Sequence, residues 1–213
     1  MNEVRRHSPV SFELQPVQAE DRGHWSVALK YPHEGEGPHL VDLSHKPKWD
    51  VQSSAMDTIQ PFGVEIPKAP GRCILAHGIM ACRMNATQTR VLILGQEEND
   101  PPNTSEFTDI TEGHLLIALA GPNLFSITEK LTSLDLQDPK TPLPYLFQGP
   151  FAHVPCQVVV IKRETDNCLL LLSCSRGYAR DMVDAVLDAG KEAALRPAGE
   201  ATFNLRLEHL NKL

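Results

Sequence analysis

The amino-acid sequence predicts an α+β fold in which two β-sheet halves are flanked by helices. Residues 110–195 show the pattern strand, helix, two strands and helix, and glycines and prolines divide the first third of the chain into pieces of strand length. The chain has 213 residues, 41% of them hydrophobic and 22% charged, which is enough to bury a substantial core. We therefore expect one compact domain or two closely joined halves.

Short strands are predicted in the N-terminal third, at 11–14, 25–31 and 48–52. Apolar and polar residues alternate along 25–31, as they do in a strand with one buried face. The two serines that begin 53–59 are suited to cap a short helix there.

A meander of three strands is predicted next, at 73–77, 79–84 and 90–94. The stretch 96–105 that follows is acidic and contains two consecutive prolines, which indicates a solvated loop. It is the best boundary in the chain.

The expected domain organisation follows from that loop. We expect a single domain over 1–213, with halves at 1–98 and 106–213 joined by the loop 99–105.

The apolar run 114–120 predicts a buried strand, which Gly121 and Pro122 end. Proline is favoured at the first helical position, so a helix should start there. Its buried stripe at helical spacing would be Leu124, Ile127, Leu131 and Leu134.

A proline-rich loop, 139–150, precedes a hairpin with strands 156–162 and 168–174 and a turn at 164–167. Ser175 should cap a long final helix that ends before Pro197, with Tyr178, Met182, Val186, Ala189 and Ala193 facing the core. A helix over a hairpin beside an earlier strand and helix matches the split β-α-β arrangement of ferredoxin-like sheets.

Composition excludes several classes of function. The net charge is −7 and no basic stripe occurs, so we expect no nucleic-acid partner. No apolar run approaches the ~20 residues of a membrane span, and the first 16 residues contain two arginines and no signal-peptide core. We expect no membrane contact and a cytoplasmic setting.

Five cysteines lack the C-x-x-C spacing of a zinc or redox site, so we interpret them as reduced core residues. His33, His39 and His45, with Asp42 among them, offer metal-ligand types in a loop-rich stretch. Incidental surface histidines explain the same spacing, and no metal is predicted.

Catalytic motifs such as a nucleophile elbow, a phosphate-binding loop or a zinc-protease helix do not occur. The acidic loop residues Glu97, Glu98 and Asp100 could supply a general base, or could simply be solvated. The charged turn 162–166 is either a binding feature or an ordinary polar hairpin turn.

Several segments resemble a known superfamily. Residues 41–45 (VDLSH), leading into 49–51 (WDV), resemble the opening strand motif of glycine-cleavage aminomethyltransferases, the T-proteins. The apolar run 115–119 followed by 120–123 (AGPN), with 134–136 (LDL) after it, is similar to the same superfamily.

In size and layout the chain also resembles the gamma subunit of heterotetrameric sarcosine oxidase, over 72–195. Residues 147–152 (FQGPFA), the hairpin after them and the start of the last helix at 175–178 follow the expected order. The resemblance implies a T-protein-like folate-binding fold that lacks the C-terminal barrel.

The resemblance also implies site residues. Thr165 stands where the family carries a pterin-binding glutamate in the hairpin turn, and Glu164 would substitute if the turn shifts by one residue. With Asp166 and Arg206, Glu164 makes up the candidate set for binding tetrahydrofolate. The candidate for the family's catalytic aspartate is Asp100.

By this resemblance, the chain would be a non-catalytic or folate-binding subunit that packs on a larger protein subunit in one-carbon or amine metabolism. The alternatives are a tetrahydrofolate-dependent aminomethyltransferase or methyltransferase, and a free-standing folate-binding module. An intact frame combined with an altered turn favours assembly over catalysis.

Overall fold

The computed structural model describes residues 5–95 and 104–210. The strands are β1 (Gln18–Arg22), β2 (Trp25–Lys30), β3 (His39–Asp42), β4 (Lys48–Gln52), β5 (Cys73–Ala76), β6 (Ile79–Arg83), β7 (Gln88–Ile93), β8 (Phe107–Asp109), β9 (His114–Gly121), β10 (Tyr145–Phe151), β11 (Val154–Glu164), β12 (Asn167–Ser175) and β13 (Arg196–Ala198). The helices are α1 (Leu124–Thr128), α2 (Ala179–Gly190) and α3 (Glu200–Leu210), with short 3₁₀ turns at Met56–Thr58, Pro61–Gly63, Arg176–Tyr178 and Lys191–Ala193.

Two sheets form the centre of the molecule. The six-stranded sheet has the order β10-β11-β12-β9-β3-β13, and the five-stranded sheet has the order β5-β6-β7-β4-β8. Strand β13 pairs with β3 in parallel, and the other neighbouring strands of both sheets are antiparallel. Strands β1 and β2 make a separate hairpin.

Strand β9 shows that the six-stranded sheet is buried on both faces. Leu115, Ile117 and Leu119 belong to an outer core with residues of α1 and α2. Leu116 and Ala118 belong to a second core that lies between the two sheets. Burial on both faces explains why β9 is a continuous apolar run rather than an alternating one.

We call the apolar layer between the sheets the inter-sheet core. It includes Met80, Cys82, Leu92 and Leu94 of the five-stranded sheet, Leu116, Ala118, Val159 and Leu171 of the six-stranded sheet, and Phe203 and Leu207 of α3. Full burial of one such side chain stabilises the fold by about 1.5–3 kcal/mol. This layer therefore fixes how the sheets face each other.

The outer face of the five-stranded sheet is covered by the segment 53–70 rather than by an α-helix. Met56, Val64 and Ile66 from this segment pack on Val51 and Val91. The short helix predicted at 53–59 is only the 3₁₀ turn Met56–Thr58.

The predicted pattern of strand, helix, two strands and helix over 110–195 is present as β9, α1, β11, β12 and α2. The start and length of α1 were predicted wrongly. Pro122 precedes the helix, and Asn123 adopts a left-handed conformation with φ 57° and donates its backbone N–H to Thr165 O. The helix ends at Thr128, so Leu131 and Leu134 lie beyond it.

Gly121 explains this geometry. Its φ is 126°, and a Cβ atom there would lie 2.5 Å from Gly37 O. The chain therefore needs glycine to turn sharply beside its neighbour before a helix can begin.

Four other predictions were wrong in informative ways. Strand β10 lies within the predicted loop 139–150, because an edge strand tolerates prolines such as Pro150. Residues 11–14 form no strand. Phe12 is buried between exposed neighbours, which resembles the alternation of buried and exposed residues along a strand. The Ser175 side chain makes no capping hydrogen bond. The Tyr178 side chain is exposed, although it was predicted to face the core.

The sheets exchange strands across the predicted boundary. Strand β3 of the N-terminal half pairs with β9, and β8 of the C-terminal half pairs with β4. The single domain and its halves remain a prediction, and the shared inter-sheet core is consistent with one domain.

Two further properties concern the whole described chain. All five cysteines are buried and unpaired, as predicted: Cys73, Cys82, Cys156, Cys168 and Cys174. Within 5–95 and 104–210, no helix has the length and apolarity that a membrane span requires.

Candidate functional site

A cleft lies where the β11–β12 turn meets helix α3. We call it the turn cleft; its volume is about 260 Å³. Its lining residues are Lys162, Asp166, Asn167, Leu169, Arg206 and His209. Cationic groups and a carboxylate thus share a cleft of mixed polarity.

Helix α3 positions Arg206 in this cleft. Phe203 and Leu207 anchor the helix in the inter-sheet core, one turn apart, which directs the neighbouring Arg206 towards the hairpin. Arg206 Nη1 donates to Asn167 Oδ1 at 2.9 Å. Partial burial lowers the pKa of the Arg206 guanidinium, which nevertheless stays charged.

Two of the three predicted folate-binding residues therefore come together. Asp166 and Arg206 both line the turn cleft, although 40 residues separate them in the sequence. Glu164 is not a lining residue, and its carboxylate accepts from Lys162 Nζ at 3.2 Å. Glu164 thus acts on the cleft through Lys162, whose side chain lines it.

The predicted catalytic residue, Asp100, lies outside the described residues, as do Glu97 and Glu98. The structure therefore does not place it. The strand that leads towards it, β7, is present and ends at Ile93.

The three spaced histidines have separate surroundings. His39 Nε2 lies 3.0 Å from Glu34 O, His45 Nε2 lies 3.3 Å from Glu200 Oε1, and His33 is exposed. Within the described part of the chain, no group of three or more His, Cys, Asp or Glu residues is arranged to hold a metal ion.

A buried ion cluster around Glu200, at the start of α3, was not predicted from sequence. The Glu200 side chain is fully buried and contacts Lys46 Nζ at 2.5 Å, Arg22 Nη1 at 2.9 Å and His45 Nε2 at 3.3 Å. Burial favours the neutral acid, but hydrogen bonds and charges from His45 and Lys46 outweigh it and lower the pKa of Glu200 to about 2. Glu200 is therefore an ionised anchor for three chain segments.

Glu34 supports the same helix terminus. Its carboxylate accepts from Gly199 N and Thr202 Oγ1, both at 2.8 Å. The Gly199 N–H is one of the backbone donors that a helix leaves unpaired at its start, and the Thr202 hydroxyl adds a side-chain bond. The N-terminus of α3 is therefore held by protein groups, which marks this region as structural.

The space between the sheets is almost filled. A small cavity lies in the inter-sheet core, and it offers about 10 Å³ to the centre of a water molecule. Its walls include Leu92, Leu116, Leu146, Val159 and Leu171. A cavity of that size holds about one water molecule, so it is too small for a pterin ring.

Sequence comparison finds no match: no protein-family model and no curated protein matches the chain. Comparison of structures does find matches. A chain of heterotetrameric sarcosine oxidase from Corynebacterium sp. U-96, in complex with pyrrole 2-carboxylate, matches with a TM-score of 0.56 and 15% identity, over 74% of this chain and 86% of that chain.

Glycine cleavage system aminomethyltransferase T from Bartonella henselae matches with a TM-score of 0.59 and 18% identity, over 90% of this chain and 58% of that chain. These are the two kinds of protein that the sequence motifs resembled. The chain therefore has the T-protein-like α+β fold that the sequence predicted.

Proposed function

We propose that this chain is a cytoplasmic, non-catalytic subunit that binds a reduced folate and packs on a larger protein in one-carbon or amine metabolism. The turn cleft is the observation that carries the proposal. It gathers Asp166 and Arg206 with Lys162 and His209 at one end of the six-stranded sheet.

The chemistry of the cleft suits tetrahydrofolate. A folate carries a carboxylate tail and a pterin whose ring N–H and amino groups are donors. Asp166 would accept from the pterin donors, and Arg206 and Lys162 would donate to the carbonyl oxygen of the same pterin. The volume, about 260 Å³, lies near the lower limit of ligand pockets, so one end of the folate would be enclosed.

The closed inter-sheet space supports a role without catalysis. A transferase needs carboxylates beside a pocket that excludes water from the reacting atoms. The residual cavity admits about one water molecule, and none of its described lining residues is acidic. Binding in an open cleft is compatible with assembly or with delivery of folate to a partner.

A subunit role is supported by the fold and by the surface. The sarcosine oxidase chain, of which 86% is covered by the structural match, belongs to a heterotetrameric enzyme. Leu14, Val17, Tyr178 and Leu205 are large apolar side chains that are between 46% and 63% exposed. Such residues become buried when a partner packs on them.

Titration calorimetry with tetrahydrofolate tests the ligand. We expect binding by the wild-type chain and, because charge-assisted hydrogen bonds are lost, an affinity roughly tenfold weaker in Arg206→Gln and in Asp166→Asn. The control Arg180→Gln removes an exposed arginine of α2 and should bind normally. Absence of binding at millimolar folate would exclude a folate role.

Purification from the native source tests the partner. A larger subunit should co-elute with the chain, and mixing the complex with folate and an amine donor should show whether this chain affects transfer. If the isolated chain catalyses aminomethyl transfer, it is the aminomethyltransferase rather than an assembly subunit. If it binds folate and elutes alone, it is a free-standing folate-binding module.

A further inference from the structure

Arg90 of strand β7 is a buried cation without sufficient partners. Its side chain is 8% exposed, and its closest carboxylate contact is Nη2 to Asp50 Oδ1 at 3.7 Å. Nε and Nη1 have no hydrogen-bond partner within the described residues. Arginine stays protonated in proteins, so Arg90 carries a full positive charge. The N–H groups on its Nε and Nη1 are buried and have no hydrogen-bond acceptor within the described residues.

Asp50 does not compensate for this, because shorter bonds already occupy it. Gln88 Nε2 donates to Asp50 Oδ1 at 2.8 Å and to Oδ2 at 3.0 Å. Gln52 Nε2 donates to Asp50 Oδ2 at 2.6 Å. The carboxylate that pairs with Arg90 across β4 and β7 is therefore satisfied by amides, while the guanidinium remains under-coordinated.

The unused donors border a space. Arg90 lines the small cavity of the inter-sheet core, together with the polar residues Gln157 and Ser173. A depression of about 250 Å³ on the protein surface is also lined by Gln157 and Ser173, and additionally by His114 and Gln148. The cavity and the depression are therefore adjacent at Gln157 and Ser173, and Arg90 lines the cavity side.

The charges around this space favour an anion. No aspartate or glutamate is among the residues that line the cavity or the depression in the described chain. Burial and the charge of Arg90 lower the pKa of His114, whose Nδ1 also lacks a partner in the described chain. The nearby Lys48 is buried as well. A buried positive charge facing apolar walls attracts a small anion strongly.

We propose that Arg90 and this cavity bind the carboxylate group of a small organic acid. One carboxylate oxygen occupies the water-sized cavity against Arg90, and the rest of the acid lies in the depression beside His114 and Gln148. The cavity size excludes a larger group on the inner side. This site is separate from the turn cleft and does not depend on folate binding.

Acetate is the probe, titrated calorimetrically into the full chain at neutral pH in chloride-free buffer. We expect one acetate per chain. Arg90→Lys keeps the charge but loses the planar fork of donors, and Gln157→Glu supplies a carboxylate from the cavity wall. Each should weaken acetate binding roughly tenfold or more, as expected for loss of a charge-assisted hydrogen bond.

Arg180→Gln, on an exposed helix face, serves as the control and should bind acetate as the wild type does. Circular dichroism verifies that each variant folds. If Arg90→Lys does not fold, the acetate affinity of Gln157→Glu alone tests the proposal. No acetate binding by the wild type, unchanged affinity in the folded variants, or chloride binding as tight as acetate would each overturn the proposal. Loss of folate binding in Arg206→Gln would leave it intact.

Discussion

Glu200 and Arg90 are both buried charged groups, but the protein surrounds them differently. Glu200 is fully buried, and the side-chain nitrogens of Arg22, His45 and Lys46 lie within 3.3 Å of its carboxylate. Arg90 is 8% exposed, with one carboxylate at 3.7 Å and two nitrogens that have no partner in the described chain. Glu200 joins α3 to two other segments, whereas Arg90 joins nothing comparable.

This difference indicates which buried charge serves the fold. A buried charge with several close partners holds elements together, and removing it leaves those partners uncompensated. A buried charge without partners costs free energy in the folded protein, so its presence needs an explanation outside the fold. The predictions below test this contrast.

The largest effect is expected from Glu200→Ala. The change leaves Lys46 and His45 buried without their anion, so we expect a loss of about 3–5 kcal/mol in the free energy of unfolding. Urea denaturation measures it. The control Glu208→Ala, at an exposed position of the same helix, should stay within about 0.5 kcal/mol of wild type. Equal losses of unfolding free energy in Glu200→Ala and Glu208→Ala would show that Glu200 has no special structural role.

Acid should weaken the same cluster. The pKa of Glu200 is lowered from 4.5 to about 2 in the folded protein, so its contribution is complete above pH 4.5 and is lost as the pH falls towards 2. Urea midpoints between these pH values should fall more steeply for wild type than for Glu200→Gln, which has no carboxylate to protonate. Parallel curves for the two proteins would contradict the assignment.

Lys48 is a buried cationic side chain that lies between Glu200 and Arg90 in how well its partners satisfy it, because it bonds to carbonyl oxygens rather than to a carboxylate. Its Nζ donates to Ser44 O at 2.8 Å and Lys46 O at 2.9 Å, and burial lowers its pKa from 10.5 to about 7. A neutral amine still satisfies both carbonyls with its two N–H groups. Because the unfolded chain binds the proton more tightly, the stability contributed by this group should rise between pH 7 and pH 10.5.

Lys48→Met provides the comparison for that prediction. Between pH 7 and pH 10.5, wild type should gain several kcal/mol more in the free energy of unfolding than Lys48→Met gains, because each unit of pKa shift corresponds to about 1.4 kcal/mol. Chemical denaturation at several pH values measures the gain. A gain of the same size in the variant would show that other groups cause it.

The smallest change in stability is expected for Arg90→Met. Asp50 is not left without partners by this change, because it keeps its bonds from Gln88 and Gln52, and its ion pair with Arg90 is loose at 3.7 Å. We therefore expect the free energy of unfolding to stay within about 1 kcal/mol of wild type. A loss comparable with that of Glu200→Ala would show that Arg90 stabilises the fold as strongly as Glu200 does.

Much of the fold was predictable because its signals are local. Strand β4 was predicted with its observed bounds, and β9 and β12 differ by a residue at their ends, since each is a distinct apolar or alternating run. Helix α3 was missed because only Phe203 and Leu207 mark its buried face in the core between the sheets. Strand β10 was missed because Pro150, together with the prolines that precede the strand, indicates a loop unless the strand is known to lie at an edge.

The candidate site was predictable in part. The family resemblance selected Asp166 and Arg206, and the structure places both in the turn cleft. Lys162 belongs to the same charged turn as Asp166, whereas His209 completes the cleft from α3 and no spacing in the sequence links it to that turn. Residues brought together by a hairpin and a distant helix have no common period that could reveal them.

The sequence by itself determined the α+β class, the burial of the cysteines and the order of β9, α1, β11, β12 and α2, because hydrophobic periodicity and turn residues act over a few positions. The tertiary structure decided the exchange of strands between the sheets, the closed inter-sheet space and the partners of Glu200 and Arg90. Desolvation and pairing of a charge depend on groups that are distant in sequence, and only packing brings them within a few ångströms.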